Sequence, residues 1–293
     1  MKLLVSLLTL AAHAAALAVS PRANNLQPTV SGTNIAISPS GGGTYPRLTS
    51  LSDGSVLGSF TAFSGSTKIL TVTRSTDGAR TFSAWGTISP PGRYDVSREF
   101  LLWGWMYLSL SQITATISHD SGRTWSFLSQ VDQRTRTATN NGLWEPFIRI
   151  ARSGAIQVYY AAENNSGDQD ILMRSSTNNG LTWSGATTVA GATTTGRDGM
   201  PGCADYTASG QARVICIFET TEGTAPFFTV KSVISTNDGV SFSSRATVYV
   251  PTGSGHNAGA PQIVTTSAGT LVAGFMTDEE HSGGQRVAAR RSI

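Results

Sequence analysis

Short apolar runs recur along this chain, each following a tight turn and several ending in a polar or acidic residue. Val56-Leu-Gly-Ser-Phe60 rises from a turn at Asp53-Gly54, and Ile156-Gln-Val-Tyr-Tyr-Ala-Ala-Glu163 from one at Ser153-Gly154. Val214-Ile-Cys-Ile-Phe-Glu219 follows Ser209-Gly210 in the same way. Runs of this length, rich in β-branched and aromatic residues and bounded by turn signals, predict strands rather than helices. Alternation over Thr33-Asn-Ile-Ala-Ile-Ser38 predicts one further lone strand that must pair elsewhere.

The strands are organised in repeats. Units open at Tyr45-Pro46-Arg47-Leu48, at Leu143-Trp-Glu-Pro-Phe147, at Gly199-Met-Pro-Gly202 and at Ala260-Pro261, so Pro46, Pro146, Pro201 and Pro261 mark corresponding strand starts, where a missing N–H is tolerated. Four units close on one motif: residues 75–82, 118–125, 176–183 and 235–242. Ser118-His-Asp-Ser-Gly-Arg-Thr-Trp125 gives its full form, Ser-x-Asp-x-Gly-x-Thr-Trp; Asn178 and Asn237 replace the Asp, and Ala79 replaces the Gly. In it the Asp accepts hydrogen bonds from its own turn, the Gly permits positive φ and the aromatic fills the gap between neighbouring sheets. This is the Asp box of sialidases and other propeller proteins, and it speaks for fold, not function. Units of roughly 45–60 residues built from antiparallel strands predict an all-β fold, a β-propeller, over a β-sandwich. The predicted division is a signal segment at 1–18 and a single propeller domain at 19–293. Its blades fall near 44–92, 93–140, 141–195, 196–255 and, in part, 256–293.

Composition narrows the function classes. With 293 residues, 13% charged and a net charge of +3, the chain has no Lys/Arg cluster before its Arg290-Arg291 tail of the kind that nucleic-acid binders concentrate on one face. Lys2 followed by an apolar run to about Ala18 reads as a secretory signal cleaved before Val19, and no later stretch approaches the ~20 apolar residues of a membrane span. A secreted, extracellular monomer without nucleic-acid or membrane partners is expected. The histidines His119, His256 and His281 lack metal-ligand spacing, so neither a metal nor a cofactor is expected, and no Gly-x-Ser-x-Gly elbow or phosphate loop is present.

Propeller geometry brings the start of each first strand and the end of each second strand to one rim. That rim would gather Tyr45, Arg47, Trp144, Glu145, Glu163, Arg197, Asp198, Glu219, Asn257 and Asp278. Glu163, Glu219 and Asp278 each come nine residues after the turn glycine of their unit, Gly154, Gly210 and Gly269, which predicts one shared register. Paired carboxylates beside aromatic platforms are what glycosidic bond cleavage requires.

At these residues the chain resembles glycoside hydrolase family 93. The resemblance is carried by Tyr45-Pro-Arg-Leu with Ser52-Asp-Gly-Ser, Leu143-Trp-Glu-Pro-Phe with Val158-Tyr-Tyr, Asp168-Gln-Asp and Arg197-Asp-Gly-Met-Pro-Gly. It implies a six-bladed, sialidase-like propeller and a secreted fungal exo-α-1,5-L-arabinanase that retains configuration and releases arabinobiose from plant cell-wall arabinan. Carried over by motif, Glu145 corresponds to the nucleophile and Glu219 to the acid/base, with Glu163 as the substitute for either. The other rim residues are then substrate-binding. Glu219, after its apolar run, is expected to hold its proton more tightly than Glu145.

Departures from the pattern carry expectations of their own. Residues 95–125 make a short second blade, with Leu102-Trp-Gly-Trp-Met-Tyr107 where a hairpin is expected, and a basic tail at 286–293 is unlike any preceding strand. An incomplete ring with exposed edges, prone to aggregate, is the expectation. Two other functions remain open: an exo-sialidase, whose Arg-Ile-Pro motif is missing here, and a non-catalytic sugar-binding propeller. Cys203 and Cys216 should face each other across the Ser209-Gly210 hairpin, as a disulfide or as a buried free pair. The sequon Asn164-Asn165-Ser166 sits beside Glu163, where a glycan would crowd a substrate, so it is expected to be unmodified or turned outward.

Overall fold

The computed structural model describes residues 35–39, 41–65, 67–88, 100–107, 110–135, 141–279 and 287–292. The expected signal segment lies outside them. Among the described residues every regular element is a strand, and the strands form five antiparallel sheets. The first contains β1 (Gly43–Ser50), β2 (Val56–Ser64), β3 (Thr67–Ser75) and β4 (Ser83–Ile88). The second contains β5 (Phe100–Tyr107), β6 (Leu110–Ile117) and β7 (Ser126–Thr135). In the third are β8 (Leu143–Ile150), β9 (Ile156–Asn165), β10 (Asp168–Ser176) and β11 (Thr187–Ala190). The fourth holds β12 (Gly199–Ala208), β13 (Gln211–Thr220), β14 (Thr229–Ser235) and β15 (Ser243–Tyr249), and the fifth β16 (Ala258–Thr265), β17 (Leu271–Thr277) and β18 (Val287–Ser292).

Each sheet stacks on the next in chain order, and this explains why the apolar runs do not alternate. Val158, Tyr160 and Ala162 of β9 face the second sheet, whereas Tyr159 and Ala161 face the fourth. On β13, Cys216 and Phe218 pack towards the third sheet while Ile215 and Ile217 pack towards the fifth. A strand buried on both faces needs apolar residues at every position. A two-layer sandwich would leave one face of each strand polar.

Three expectations are corrected here. Residues 35–38 form no strand, while Thr33 and Asn34 lie outside the described residues. The basic tail is not foreign to the repeat: Val287–Ser292 pairs along β17 as the third strand of the fifth sheet, with Arg290 opposite Gly274 and Arg291 opposite Ala273. The second sheet's three strands correspond to strands two to four of its neighbours, because residues 118–125 link β6 to β7 as 75–82 link β3 to β4. Leu102–Tyr107 is therefore a strand and not a replaced hairpin.

The closing turns behave as their chemistry requires. Asp120 accepts the backbone N–H groups of Arg123 (3.0 Å) and Thr124 (2.8 Å) and the hydroxyl of Thr124 (2.6 Å). These bonds, the Thr124 hydroxyl first, hold its carboxyl down to about 2. Asp77 makes the same set with Thr81 and Arg80 and is likewise held well below the usual range, again chiefly by the threonine hydroxyl. Asn178 and Asn237 keep the geometry and donate from Nδ2 to Thr182 (2.9 Å) and Ser241 (2.8 Å). The glycine position is left-handed in all four turns, with φ of 82° at Gly122 and 65° at Ala79.

An ion-pair knot fixes the third sheet to the fourth. Arg149 is 3% exposed and sends Nε to Asp205 Oδ2 (2.8 Å), Nη2 to Asp238 Oδ1 (2.5 Å) and Nη1 to Gln157 Oε1 (2.7 Å). Cys203 pairs with Cys216 across β12 and β13, and the two form a disulfide with Cα atoms 4.0 Å apart.

Candidate active site

The opening prolines do more than start strands. Tyr45, Glu145, Met200 and Ala260, each immediately before its proline, have φ of 56°, 56°, 52° and 49°. The pairing register slips at the same place in all four sheets, between Thr44 and Arg47, Trp144 and Phe147, Gly199 and Gly202, and Gly259 and Gln262. Each opening is thus a β-bulge with a left-handed residue, a device that re-aims one side chain out of the alternating pattern. Such a conformation costs a non-glycine residue about 1–3 kcal/mol. In the third sheet the re-aimed side chain is a carboxylate.

Glu145 Oε2 reaches the next sheet and accepts the N–H of Met200, the fourth sheet's bulge residue, at 2.7 Å. Glu219 Oε2 repeats the move one sheet on, accepting the N–H of Ala260 at 2.6 Å. Both acids line Gly199. A Cβ placed there would lie 3.1 Å from Glu145 Oε2, 3.5 Å from Glu219 Oε1 and 3.1 Å from Gln169 Nε2. The separation of those two carboxylate oxygens is therefore at most 6.6 Å, the sum of their distances to that point. Both glutamates are partly exposed, so solvent and a ligand can reach them.

Glu163 is placed differently. It is 6% exposed, with one donor on each oxygen: Gly142 N–H donates to Oε2 (2.8 Å) and Arg197 Nη2 to Oε1 (2.9 Å). Arg197 Nη2 also donates to Gln169 Oε1 (2.8 Å), whose Nε2 donates to the Asp198 carbonyl (2.7 Å). Asp198 is buried in a two-pronged pair with Arg245, Nη1 to Oδ2 at 2.7 Å and Nη2 to Oδ1 at 2.9 Å. Asp278 accepts Asn257 through both its side chain (3.0 Å) and its N–H (2.7 Å), which with His256 holds its carboxyl below the usual range. Glu163, Asp198 and Asp278 thus tie the rim together, and Arg197 and Asn257 serve them.

The predicted shared register is corrected. Glu163 stands opposite Gly142, and Asp278 opposite Asn257, each one step before its first strand. Glu219 instead pairs with Gly199 inside the strand, and Thr221 holds the position of Glu163, accepting Arg197 N–H at 2.9 Å. The turns differ: the first, third and fifth sheets use a five-residue turn, closed in the third by Ala151 N–H to Ala155 carbonyl (2.8 Å), whereas Ser209-Gly210 is a two-residue hairpin with both φ positive. Equal counts from unlike turns end two residues apart.

The remaining predicted residues divide. Trp144 is half-buried against the core between the third and fourth sheets, with its indole over Gly142. Tyr45 is 45% exposed on the first sheet's bulge. Arg47 lines the cleft between the first and second sheets with Leu57, Val72 and Trp125. Gln169, Gly199 and Gly259 are not among the rim residues expected from the sequence. Aligning the units on their prolines would have found the glycines, since that column reads Thr44, Trp144, Gly199, Gly259. Among the described residues no group of three or more His, Cys, Asp or Glu is arranged to hold a metal, and no helix is long and apolar enough to cross a membrane.

No family model and no curated protein sequence matches the chain significantly. Solved structures do match. The GH93 α-L-arabinofuranosidase of Fusarium graminearum, in complex with arabinobiose, aligns with a TM-score of 0.63 at 22% identity, over 85% of this chain and 79% of that one. The chain has the fold of this GH93 enzyme. An α-L-arabinanase of Penicillium chrysogenum, also complexed with arabinobiose, aligns at 0.61 and 20% identity, over 83% of this chain and 80% of that one. The NanB sialidase of Streptococcus pneumoniae aligns at 0.52 and 14% identity, over 76% and 35%. Within this fold the bulges of the third, fourth and fifth sheets are linked through Glu145 and Glu219, each accepting the bulge N–H of the sheet that follows.

Proposed function

We propose that the protein is a secreted glycoside hydrolase that cleaves α-1,5-linked L-arabinan from its ends with retention and releases arabinobiose. One observation carries the reading: two carboxylates from adjacent sheets converge on Gly199, within 6.6 Å of each other. A retaining double displacement uses carboxyl groups about 5–5.5 Å apart, and an inverting one roughly 6.5–9.5 Å. The limit on these two oxygens accommodates the first spacing.

In this reading Glu145, re-aimed by its bulge, attacks the anomeric carbon, and Glu219 protonates the departing oxygen and then activates water. Glu163 is a poor substitute because its ion pair with Arg197 and its bond from Gly142 occupy both oxygens. Tyr45 and Trp144 supply sugar-facing surface, and the six-bladed ring that the family resemblance implies encloses the site. Secretion is supported by the disulfide, which persists in oxidising compartments. The two arabinobiose-bound neighbours favour an arabinan-derived ligand.

A sialidase needs arginines held ready for the substrate carboxylate. Here Arg197 is committed to Glu163 and Arg245 to Asp198 and Glu222, which disfavours that reading. The test is hydrolysis of linear arabinan and of a sialoside by the purified protein, with product analysis and a binding measurement alongside. Arabinobiose as the first product supports the proposal. Release of sialic acid, or binding without hydrolysis, contradicts it.

A further inference from the structure

Gly199 and Gly259 share one structural position, the residue before the left-handed bulge residue. Neither has positive φ, so the backbone at both sites would accept any L-residue. The same position holds Thr44 in the first sheet and Trp144 in the third, so the bulge itself does not demand glycine. What glycine supplies is space. A Cβ on Gly259 would lie 2.3 Å from Glu219 Oε2, and the next nearest atoms, at 3.4 and 3.8 Å, also belong to Glu219. No backbone or other side chain competes for that volume at so short a range. The same Oε2 takes the Ala260 N–H at 2.6 Å, so the carboxylate reaches its donor only through the place a side chain would occupy.

We propose that Gly259 is a positioning residue for Glu219: its missing side chain admits the carboxylate onto the Ala260 N–H and thereby aims Oε1 across Gly199 towards Glu145. Gly199 does the same more loosely for Glu145, whose Oε2 lies 3.1 Å from the virtual Cβ while bonded to Met200 N–H. The kinetic consequence rests on Glu219 acting in the proposed reaction. The geometric claim does not.

The experiment labels glutamate with carboxyl 13C and follows the pH titration of Glu219 by NMR in the wild type and in Gly259→Ala, with Glu219→Gln assigning the resonance. A methyl at 259 should break the Ala260 N–H bond, which favours the charged carboxylate, so the Glu219 midpoint should move up. On linear arabino-oligosaccharides the variant should lose about a hundredfold in kcat with KM little changed, because a displaced acid spoils the transition state more than ground-state binding. An unmoved Glu219 midpoint in folded Gly259→Ala overturns the proposal. If the wild type does not cleave arabinan, the substrate reading fails and the titration still decides this one. Should Gly259→Ala be unstable, adding Glu219→Asp should restore its thermal midpoint, since the shorter side chain withdraws from the methyl. A double variant no more stable than Gly259→Ala overturns the proposal as well.

Discussion

Glu145 and Glu219 belong to different sheets, 74 residues apart in sequence, yet both carboxylates lie within 3.5 Å of one point beside Gly199. Each is held by a backbone N–H from the sheet that follows it, so the spacing of the pair is set by how the third, fourth and fifth sheets stack. The chemistry proposed above therefore depends on the inter-sheet contacts as much as on the two acids.

Arg149 is where that stacking is most vulnerable. Replacing it with methionine keeps the apolar stem and leaves Asp205 and Asp238 only the more exposed guanidinium of Arg152 to share. Removing one partner of a buried pair costs about 3–5 kcal/mol; because Asp205 is 44% exposed and can rehydrate, about 3 kcal/mol is expected. Urea unfolding of Arg149→Met should show that loss. A change under about 1 kcal/mol would mean the knot is ornamental.

The turn at Ala79 predicts a gain instead. Alanine at a φ of 65° bears the left-handed penalty that Gly122, Gly180 and Gly239 avoid at the same position. Ala79→Gly should stabilise the fold by on the order of 1 kcal/mol, raising the thermal midpoint. A lower midpoint would show that the chain entropy of glycine outweighs the relief.

The aspartate turns should weaken in acid. Folded Asp77 and Asp120 titrate below the ordinary 3.8, so the unfolded chain binds their protons first as the pH falls. Their contribution is complete above pH 3.8 and is lost for Asp120 as the pH falls to about 2. The double variant Asp77→Asn, Asp120→Asn copies the residues already present at Asn178 and Asn237. Its unfolding free energy should fall less steeply than that of the wild type between pH 4 and 2, and equal slopes would contradict the assignment.

How much of this was legible in the sequence follows from which interactions are local. The closing turns were readable because Ser118, Asp120 and Thr124 bond within four residues of one another. The runs around Tyr159 and Cys216 were readable as strands because the turns that bound them, Ser153-Gly154 and Ser209-Gly210, adjoin them in the chain. What could not be read was the relation between sheets. The count from Gly154 and Gly210 gave Glu163 and Glu219 one register because turn length is invisible to a spacing rule, and only the pairing of Gly199 with Glu219 exposes the slip. The bulges were hidden behind prolines that a strand start explains equally well. That Asp198 would be bound to Arg245, 47 residues away, has no local signature at all.

The disulfide gives a direct check on the fourth sheet. Cys203 and Cys216 close a short loop, and replacing both by alanine should lower stability by about 2–4 kcal/mol while leaving the register of β12 on β13 intact. Denaturant unfolding with and without reductant measures it. Insensitivity of the wild type to reductant throughout the transition would contradict a bridge.

The central claim is the division of labour between Glu145 and Glu219, and it is tested on an aryl α-L-arabinobioside with a good leaving group against linear arabinan. Departure of an activated aryl group needs no proton, so Glu219→Ala should keep turnover on the aryl substrate, lose it on arabinan, and form a glycosyl azide of retained configuration when azide is added. Glu145→Ala should lose both substrates, and azide should not restore a retained product. If Glu219→Ala lost both substrates equally while Glu163→Ala showed the selective pattern with retained azide product, the acid/base would be Glu163 and this account of the site would be wrong.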